Sequence, residues 1–152
     1  MTVIIIEDNP IELENLKILL GRFDGYDLVG EADTISGGIE LANRQQPNVI
    51  MLDIQLECEN SLDHIHQLDY SPYIICSTLY TKHALQAFEV GVIDYLTKPI
   101  THEKLSRALG RLPESHDASR SAKENNTLTL DSGNKTQMLL IDEIVLITAD
   151  GD

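Results

Sequence analysis

Residues 47–53, Pro-Asn-Val-Ile-Met-Leu-Asp, decide the fold. The apolar run from Val49 to Leu52 shows no alternation and ends at a single acid. This is typical of a strand buried on both faces, as in a parallel sheet covered by helices. Because ionised carboxylates are rarely buried, we expect Asp53 at the carboxyl end of the strand, the edge at which open α/β sheets bind ligands. Taken alone, Asp53 could equally cap the next element or begin a turn.

Four other segments have strand character, and helical patterns separate them. The further strands are predicted at residues 2–6, 26–32, 73–78 and 92–97. Apolar residues at helical spacing predict helices near 10–20, 34–46, 60–69, 81–90 and 101–112. Five strands that alternate with five helices predict an α/β fold, a doubly wound five-stranded parallel sheet with helices on both faces.

The composition excludes several classes of function. The 152 residues have room for one core of ordinary domain size plus a remnant. The net charge is −14, from 11 basic and 25 acidic residues, and such a surface repels nucleic acid and anionic membranes. No apolar run approaches the ~20 residues that cross a bilayer, and the first residues lack the basic region of a signal peptide. We therefore expect a cytoplasmic protein with no membrane contact, in which Cys58 and Cys76 are reduced thiols.

The character of the chain changes after residue 112. Residues 113–126 contain almost nothing apolar and are interpreted as a linker. Residues 127–152 show two strand patterns, joined by a glycine-containing turn at Asp131–Lys135, and a third strand pattern at Ile144–Thr148. So few residues cannot build a core of their own. We interpret this short β-rich remnant as the beginning of a second domain that follows a first domain at 1–112.

The predicted strand ends carry residues suited to one kind of chemistry. Glu7 and Asp8 follow the first strand, Asp53 ends the third, Thr78 ends the fourth and Lys98 follows the fifth. A doubly wound sheet brings these ends to one edge, where three carboxylates repel one another unless a cation lies among them. Hard carboxylate oxygens favour Mg²⁺ or Mn²⁺. The sequence therefore predicts a divalent metal site at this edge.

Beside such a metal, Asp53 is suited to attack phosphorus and form an acyl phosphate. Phosphoryl transfer depends mainly on positioning and on stabilisation of charge. The ammonium of Lys98 would stabilise the transferred oxygens, and the hydroxyl of Thr78 would donate a hydrogen bond to them. Alone, Glu7 and Asp8 could merely favour the dipole of the following helix. Their occurrence together with the other strand ends favours the phosphoryl-transfer interpretation.

These residues stand in stretches that resemble the receiver domains of bacterial two-component response regulators, the fold represented by CheY. Among them, the chain resembles in particular the regulators that carry a C-terminal LytTR DNA-binding domain. Within residues 1 to about 112 the matching stretches are Ile4-Ile5-Ile6-Glu7-Asp8-Asn9, Leu52-Asp53-Ile54-Gln55-Leu56, Ile75-Cys76-Ser77-Thr78-Leu79-Tyr80 and Ala87-Phe88-Glu89-Val90-Gly91-Val92-Ile93-Asp94-Tyr95-Leu96-Thr97-Lys98-Pro99. A weaker match, from Ile141 to Asp152, is similar to the opening of a LytTR domain, which implies that this second domain is truncated. The resemblance also implies the strand order 2-1-3-4-5.

The resemblance implies a role for each residue of the site. Asp53 would accept a phosphoryl group from a sensor histidine kinase, and Lys98, followed by a cis Pro99 peptide, would hold the phosphoryl oxygens. Thr78 would be the switch hydroxyl, and Tyr95 would be the aromatic that turns inward on phosphorylation. The ligands of Mg²⁺ or Mn²⁺ would be Glu7, Asp8, Asp53 and the main-chain carbonyl of Gln55.

The resemblance also implies how phosphorylation of the domain would be converted into an output. The face formed by residues 81–112 would rearrange and form a homodimer, and DNA would be bound only through the C-terminal domain. The protein would phosphorylate itself on one residue and would not be a turnover enzyme.

Two positions depart from the family pattern in the loop after the acceptor. The family often has proline four residues after the acceptor and glycine eight residues after it, where this chain has Glu57 and Ser61. We expect a different path for this loop, in which the extra acids Glu57 and Glu59 alter metal affinity or the choice of partner.

Three other functions are weighed against this one. A phosphatase of the haloacid dehalogenase type also forms an aspartyl phosphate, but it needs a second acid where this chain has Gln55, whose amide is not a general acid. A nucleotide-binding domain is disfavoured because the turn at residues 7–10 has no glycine fingerprint and carries the wrong charge for a pyrophosphate. The altered loop at 57–61 leaves open a receiver that signals through protein–protein interaction without phosphorylation.

Overall fold

The computed structural model describes residues 1–114, 127–132 and 135–140. Within these ranges the strands are β1 (Thr2–Ile6), β2 (Asp27–Ala32), β3 (Val49–Asp53), β4 (Gln55–Leu56), β5 (Glu59–Asn60), β6 (Tyr73–Thr78), β7 (Asp94–Thr97), β8 (Thr127–Ser132) and β9 (Lys135–Leu140). The α-helices are α1 (Pro10–Leu20), α2 (Ile35–Gln45), α3 (Ala84–Glu89) and α4 (His102–Leu109), and two 3₁₀ helices cover Ser61–Gln67 and Thr81–His83.

Five parallel strands form the body of the sheet in the order β2-β1-β3-β6-β7. Every residue of β3 is buried, as expected for a central strand whose two faces are both covered by helices. With the short β4–β5 hairpin left out of the numbering, this is the predicted order 2-1-3-4-5. The predicted doubly wound α/β fold is therefore confirmed.

Alternate side chains of the central strands enter two separate cores. One core lies against α2, α3 and the first 3₁₀ helix and includes Ile50 and Leu52. The other lies against α1 and α4 and includes Val49 and Met51. Consecutive residues of a strand thus face helices on opposite sides, which explains why the run from residue 49 to 52 contains no polar position.

The segment after β3 differs from the prediction. Gln55 pairs with Asn60 and Leu56 with Glu59, so residues 55–60 form an antiparallel hairpin that the sequence did not indicate. The helix predicted at 60–69 is a 3₁₀ helix, Ser61–Gln67. Its apolar residues lie three positions apart, a spacing that also puts side chains of a 3₁₀ helix on one side. Apolar spacing alone does not distinguish the two helix types.

The C-terminal strands β8 and β9 form an antiparallel hairpin, as predicted for two strands joined near Asp131–Lys135. β8 also pairs in parallel with β7 and extends the sheet on that side. The assignment of 127–152 to a second domain stays a prediction, because most of the predicted linker and the strand predicted at Ile144–Thr148 lie outside the described residues. Among the helices that are described, none is long and apolar enough to span a bilayer.

Candidate functional site

The parallel strands place the predicted acidic residues at one edge of the sheet. Glu7 and Asp8 directly follow β1, and Asp53 is the last residue of β3. One carboxylate oxygen from each of these three residues lies within 4.8 Å of the others. The carboxyl ends of neighbouring strands therefore build a single acidic cluster from positions far apart in the sequence.

Lys98, which follows β7, neutralises part of this cluster. Its Nζ atom lies 2.8 Å from Oδ2 of Asp53 and 2.8 Å from Oε2 of Glu7. The Lys98 side chain is 6% exposed, and those of Glu7 and Asp53 are 1% and 8% exposed. Burial alone would lower the pKa of Lys98, but the hydrogen bonds and charges of Asp53 and Glu7 outweigh that effect and raise the pKa above 10.5. Lys98 is therefore a firmly protonated cation within the cluster.

The pKa of Glu7 is raised above its ordinary value of 4.5. The largest cause is burial; the hydrogen bond from Lys98 opposes the shift, and the charge of Asp53 reinforces it. Lys98 thus contacts two of the three acids, and its charge does not outweigh the effect of burial on the pKa of Glu7.

Main-chain N–H groups orient each carboxylate of the cluster. The N–H of Gln55 donates to Oδ1 of Asp53 at 3.0 Å, and the N–H of Asn9 donates to Oε1 of Glu7 at 3.1 Å. Asn9 in turn caps α1 through its side chain, as its position before Pro10 indicates. These bonds orient the two buried acids of the cluster.

The cluster has the donor chemistry of a site for Mg²⁺ or Mn²⁺. It opens into a cavity of about 290 Å³ whose wall includes the three acids, Gln55 and Lys98. The excess of carboxylates over ammonium groups leaves negative charge that a divalent cation would neutralise. Glu7, Asp8 and Asp53 are the residues that would hold the metal. Gln55 lines the same cavity, and the role of its carbonyl as a ligand stays a prediction.

The two predicted switch residues lie next to this site. Thr78, the last residue of β6, is buried, and its Oγ1 accepts a hydrogen bond of 3.2 Å from the N–H of Tyr80. Tyr95 on β7 is fully buried, its hydroxyl donates to the carbonyl of Tyr80, and burial raises the pKa of its phenol. Tyr95 already points inward in this state, so its predicted movement on phosphorylation stays a prediction. The Lys98–Pro99 peptide is cis, as predicted.

Glu57 lies at the tip of the β4–β5 hairpin, and Ser61 directly follows the hairpin as the first residue of a 3₁₀ helix. Glu57 and Cys58 form its two-residue turn with φ angles of +47° and +72°. Paired positive φ angles are those of a type I′ turn, which matches the twist of a hairpin. At this tip the N–H of Glu57 donates to Oδ2 of Asp8 at 3.1 Å. The departure at Glu57 thus lies in a hairpin that contacts a predicted metal ligand, and the expected difference in loop path from the family stays a prediction.

Ser61 has a role that the sequence did not reveal. Its side chain is fully buried, and its Oγ donates a hydrogen bond of 2.6 Å to the carbonyl oxygen of Asp53. The N–H of Ser61 donates to the carbonyl of Ile54 at 2.7 Å. These two hydrogen bonds hold Ser61, at the base of the hairpin, against the main chain of Asp53, the predicted acceptor, and of Ile54. The only signal in the sequence was the serine at a position where the family often has glycine.

The fold and the acidic edge together define a class of protein. The family model of the response regulator receiver domain matches residues 3–110. The chain therefore belongs to this family and contains the receiver domain of a two-component response regulator.

Individual relatives agree with this assignment. The transcriptional regulatory protein BtsR of Escherichia coli strain K12 is 36% identical over 112 residues, which are 72% of this chain and 47% of BtsR. The sensory transduction protein LytT of Enterococcus faecalis is 31% identical over 153 residues, covering 97% of this chain and 61% of LytT. The response regulatory domain of mrkE from Klebsiella pneumoniae has a TM-score of 0.66 at 27% identity, over 74% of this chain and 94% of that one. The chain spans about half the length of the BtsR proteins that it matches. The relatives named LytT are in keeping with the resemblance to LytTR-type regulators.

Proposed function

We propose that this receiver is a phosphorylation-controlled switch in which Asp53 accepts a phosphoryl group in a Mg²⁺-dependent reaction. The observation that carries the proposal is the pair of 2.8 Å contacts from Lys98 to Asp53 and Glu7, beside the third acid, Asp8. A strongly held ammonium next to a carboxylate nucleophile is the arrangement that phosphoryl transfer to that carboxylate requires.

Asp53, Lys98 and Gln55 each have a separate role in the proposed reaction. An oxygen of Asp53 attacks phosphorus, a new O–P bond forms, and the bond from phosphorus to the donor breaks. The donor leaves with that electron pair, and when the donor is a phosphohistidine its nitrogen receives the pair. Lys98 can pass its hydrogen bond from Asp53 to a phosphoryl oxygen, while the N–H of Gln55 keeps the acceptor oriented. A bound Mg²⁺ would supply the positive charge that offsets the incoming phosphoryl oxygens.

The partners follow from the family. Receiver domains of response regulators interact with sensor histidine kinases, and we propose a histidine kinase as the phosphoryl donor. We further propose that phosphorylation promotes a homodimer through the face of residues 81–112, and that the output is DNA binding through a C-terminal LytTR-type domain. Relatives named as transcriptional regulatory proteins support this output. On this proposal Asp53 reacts once per signalling cycle, and the protein is not a turnover enzyme.

The experiment that tests the proposal uses a small phosphoryl donor, so that no kinase needs to be known. The chain is incubated with acetyl phosphate and Mg²⁺, and its intact mass is recorded, with Asp53→Asn and an excess of chelator as controls. We expect one added phosphoryl group that is absent from both controls. A folded wild-type chain that gains no such mass would reject the proposal in favour of a receiver that acts by protein–protein interaction alone.

A further inference from the structure

Lys104 is a buried cation that the site described above does not use. It lies in the first turn of α4 and is 8% exposed. Lysine is rarely buried without a partner, and a positive charge is unfavourable at the N-terminus of a helix because of the helix dipole. Burial and the helix dipole therefore both disfavour a charged lysine at this position. The contacts of Lys104 must compensate for both effects.

Three oxygen atoms surround the ammonium of Lys104. Its Nζ lies 2.9 Å from the carbonyl oxygen of Thr97, 3.4 Å from the hydroxyl of Thr97 and 3.1 Å from the carbonyl oxygen of Pro99. An ammonium has three protons to donate, so these acceptors match its capacity. Hydrogen bonds from a charged donor are stronger than those between neutral groups.

The residues that Lys104 binds lie on either side of Lys98. Lys104 therefore holds the chain immediately before and immediately after the residue that contacts the acceptor. On the opposite side, the N–H of Lys98 donates to the carbonyl of Thr78 at 2.8 Å. The main chain of Lys98 is thus fixed from β6 by one bond and from α4 by Lys104.

The main-chain position of Lys98 determines where its ammonium group lies. Its long side chain must reach Asp53 and Glu7 at once, each at 2.8 Å. A small rotation of the backbone at the base of such a side chain displaces its end by a larger distance, and a flexible lysine is held in one place only through its supports.

We propose that Lys104 is a positioning residue: it fixes the turn 97–99 against α4 and thereby sets the Lys98 ammonium against Asp53 and Glu7. The consequence for the rate of phosphorylation rests on the proposed function. The consequence for the position of Lys98 does not, because it concerns the folded chain without any donor.

The test compares three variants of the whole chain at a temperature at which all are folded. Lys104→Met removes the ammonium and keeps the length of the side chain, and Lys104→Arg restores a charged donor. Lys17→Met is the matched control, since it removes the same charge from a surface lysine that pairs with Glu14 and Glu31. The initial rate of adduct formation with acetyl phosphate and saturating Mg²⁺ is measured by intact mass.

We expect Lys104→Met to lower this rate by about tenfold or more, since small misplacements at a reacting centre are costly in rate. Lys104→Arg should recover part of the loss, and Lys17→Met should stay close to wild type. An unchanged rate in folded Lys104→Met would overturn the inference. If Lys104→Met does not fold, Lys104→Ala, which also lacks a donor but leaves space for water at the carbonyl oxygens, takes its place with the same two outcomes.

A crystal structure of Lys104→Met separates this inference from the proposed function. A wild-type chain that forms no adduct contradicts the proposed function only. In that case a Lys98 Nζ atom that leaves its contacts with Asp53 and Glu7 supports the positioning role, and one that keeps both contacts overturns it.

Discussion

The Nζ atom of Lys98 lies 2.8 Å from Oδ2 of Asp53, the last residue of the central strand β3. Both side chains are largely buried, so the attraction between the two charges is screened less than it would be at the surface. The same ammonium contacts Glu7, and these contacts raise the pKa of Lys98. Lys98 thus ties the ends of β1 and β3 to the end of β7.

Removal of the Lys98 charge should affect both stability and reaction rate. Lys98→Met leaves two buried carboxylates without their shared cation, which should lower the free energy of unfolding by about 3 kcal/mol in the absence of metal. The rate of Asp53 phosphorylation should fall by about 10²-fold, the usual effect of losing one stabilising donor. Urea denaturation and the acetyl phosphate assay measure the two effects. Added Mg²⁺ should stabilise Lys98→Met more than wild type, and equal stabilisation of both would contradict a shared site.

Alkaline pH should weaken the fold through the same residue. Because the folded state raises the pKa of Lys98 above 10.5, it binds this proton more tightly than the unfolded chain does. The stabilisation that protonated Lys98 gives the fold is complete below pH 10.5, the ordinary pKa of lysine. It is lost as the pH rises through the raised pKa of Lys98 in the folded state. Urea denaturation across this range should show a decline in the free energy of unfolding that is smaller in Lys98→Met. An equal decline of the free energy of unfolding with pH in wild type and Lys98→Met would refute this assignment.

Ser61→Ala should destabilise the hairpin at the acceptor. It removes the hydroxyl that donates to the Asp53 carbonyl in a fully buried position, so the free energy of unfolding should fall by roughly 1–3 kcal/mol. Thr34→Ala, which removes the capping hydroxyl of α2, a helix that carries no residue of the acidic cluster, is the control for the loss of a structural hydroxyl. Phosphorylation of Asp53 should slow in Ser61→Ala and not in Thr34→Ala. Equal rates would show that Ser61 serves the fold only.

The turn at the hairpin tip should gain stability from glycine. Cys58 has a φ angle of +72°, which costs a residue with a Cβ roughly 1–2 kcal/mol and costs glycine nothing comparable. Cys58→Gly should therefore raise the free energy of unfolding by about 0.5–1 kcal/mol, after allowance for the greater chain entropy of glycine. Glu59→Gly, in the neighbouring strand β5, should lower it instead. A loss of stability in Cys58→Gly would contradict the type I′ geometry.

The sheet was predictable because burial on both faces leaves a strong pattern. Uninterrupted apolar runs such as 49–52 are typical of strands that helices cover on both sides, and the acid at the end of this run marks where the chain leaves the core. For the same reason, residues at the carboxyl ends of buried parallel strands, such as Asp53 and Lys98, are expected at one edge of the sheet. The structure confirms that edge as a cluster of three acids and one ammonium.

Other features depend on contacts that no local pattern records. The β4–β5 hairpin has Glu57 and Cys58 at its turn, whereas the sequence signals of type I′ turns are asparagine, aspartate and glycine. The bond from Glu57 to Asp8 exists only because folding brings the tip of the hairpin next to the segment that follows β1. Lys104 precedes an apolar residue in an amphipathic helix, where a lysine normally lies in solvent, and only the tertiary structure shows that it binds the turn around Lys98.

On the proposed function, Asp53 is the residue that takes up the phosphoryl group. The most direct test is to treat the chain with acetyl phosphate and Mg²⁺, reduce it with borohydride, and map its peptides by mass spectrometry. Reduction converts an aspartyl phosphate into homoserine and so marks the residue that carried it. We expect homoserine at position 53 and an unchanged Asp8. Homoserine at another position, or none in a folded chain, would contradict it.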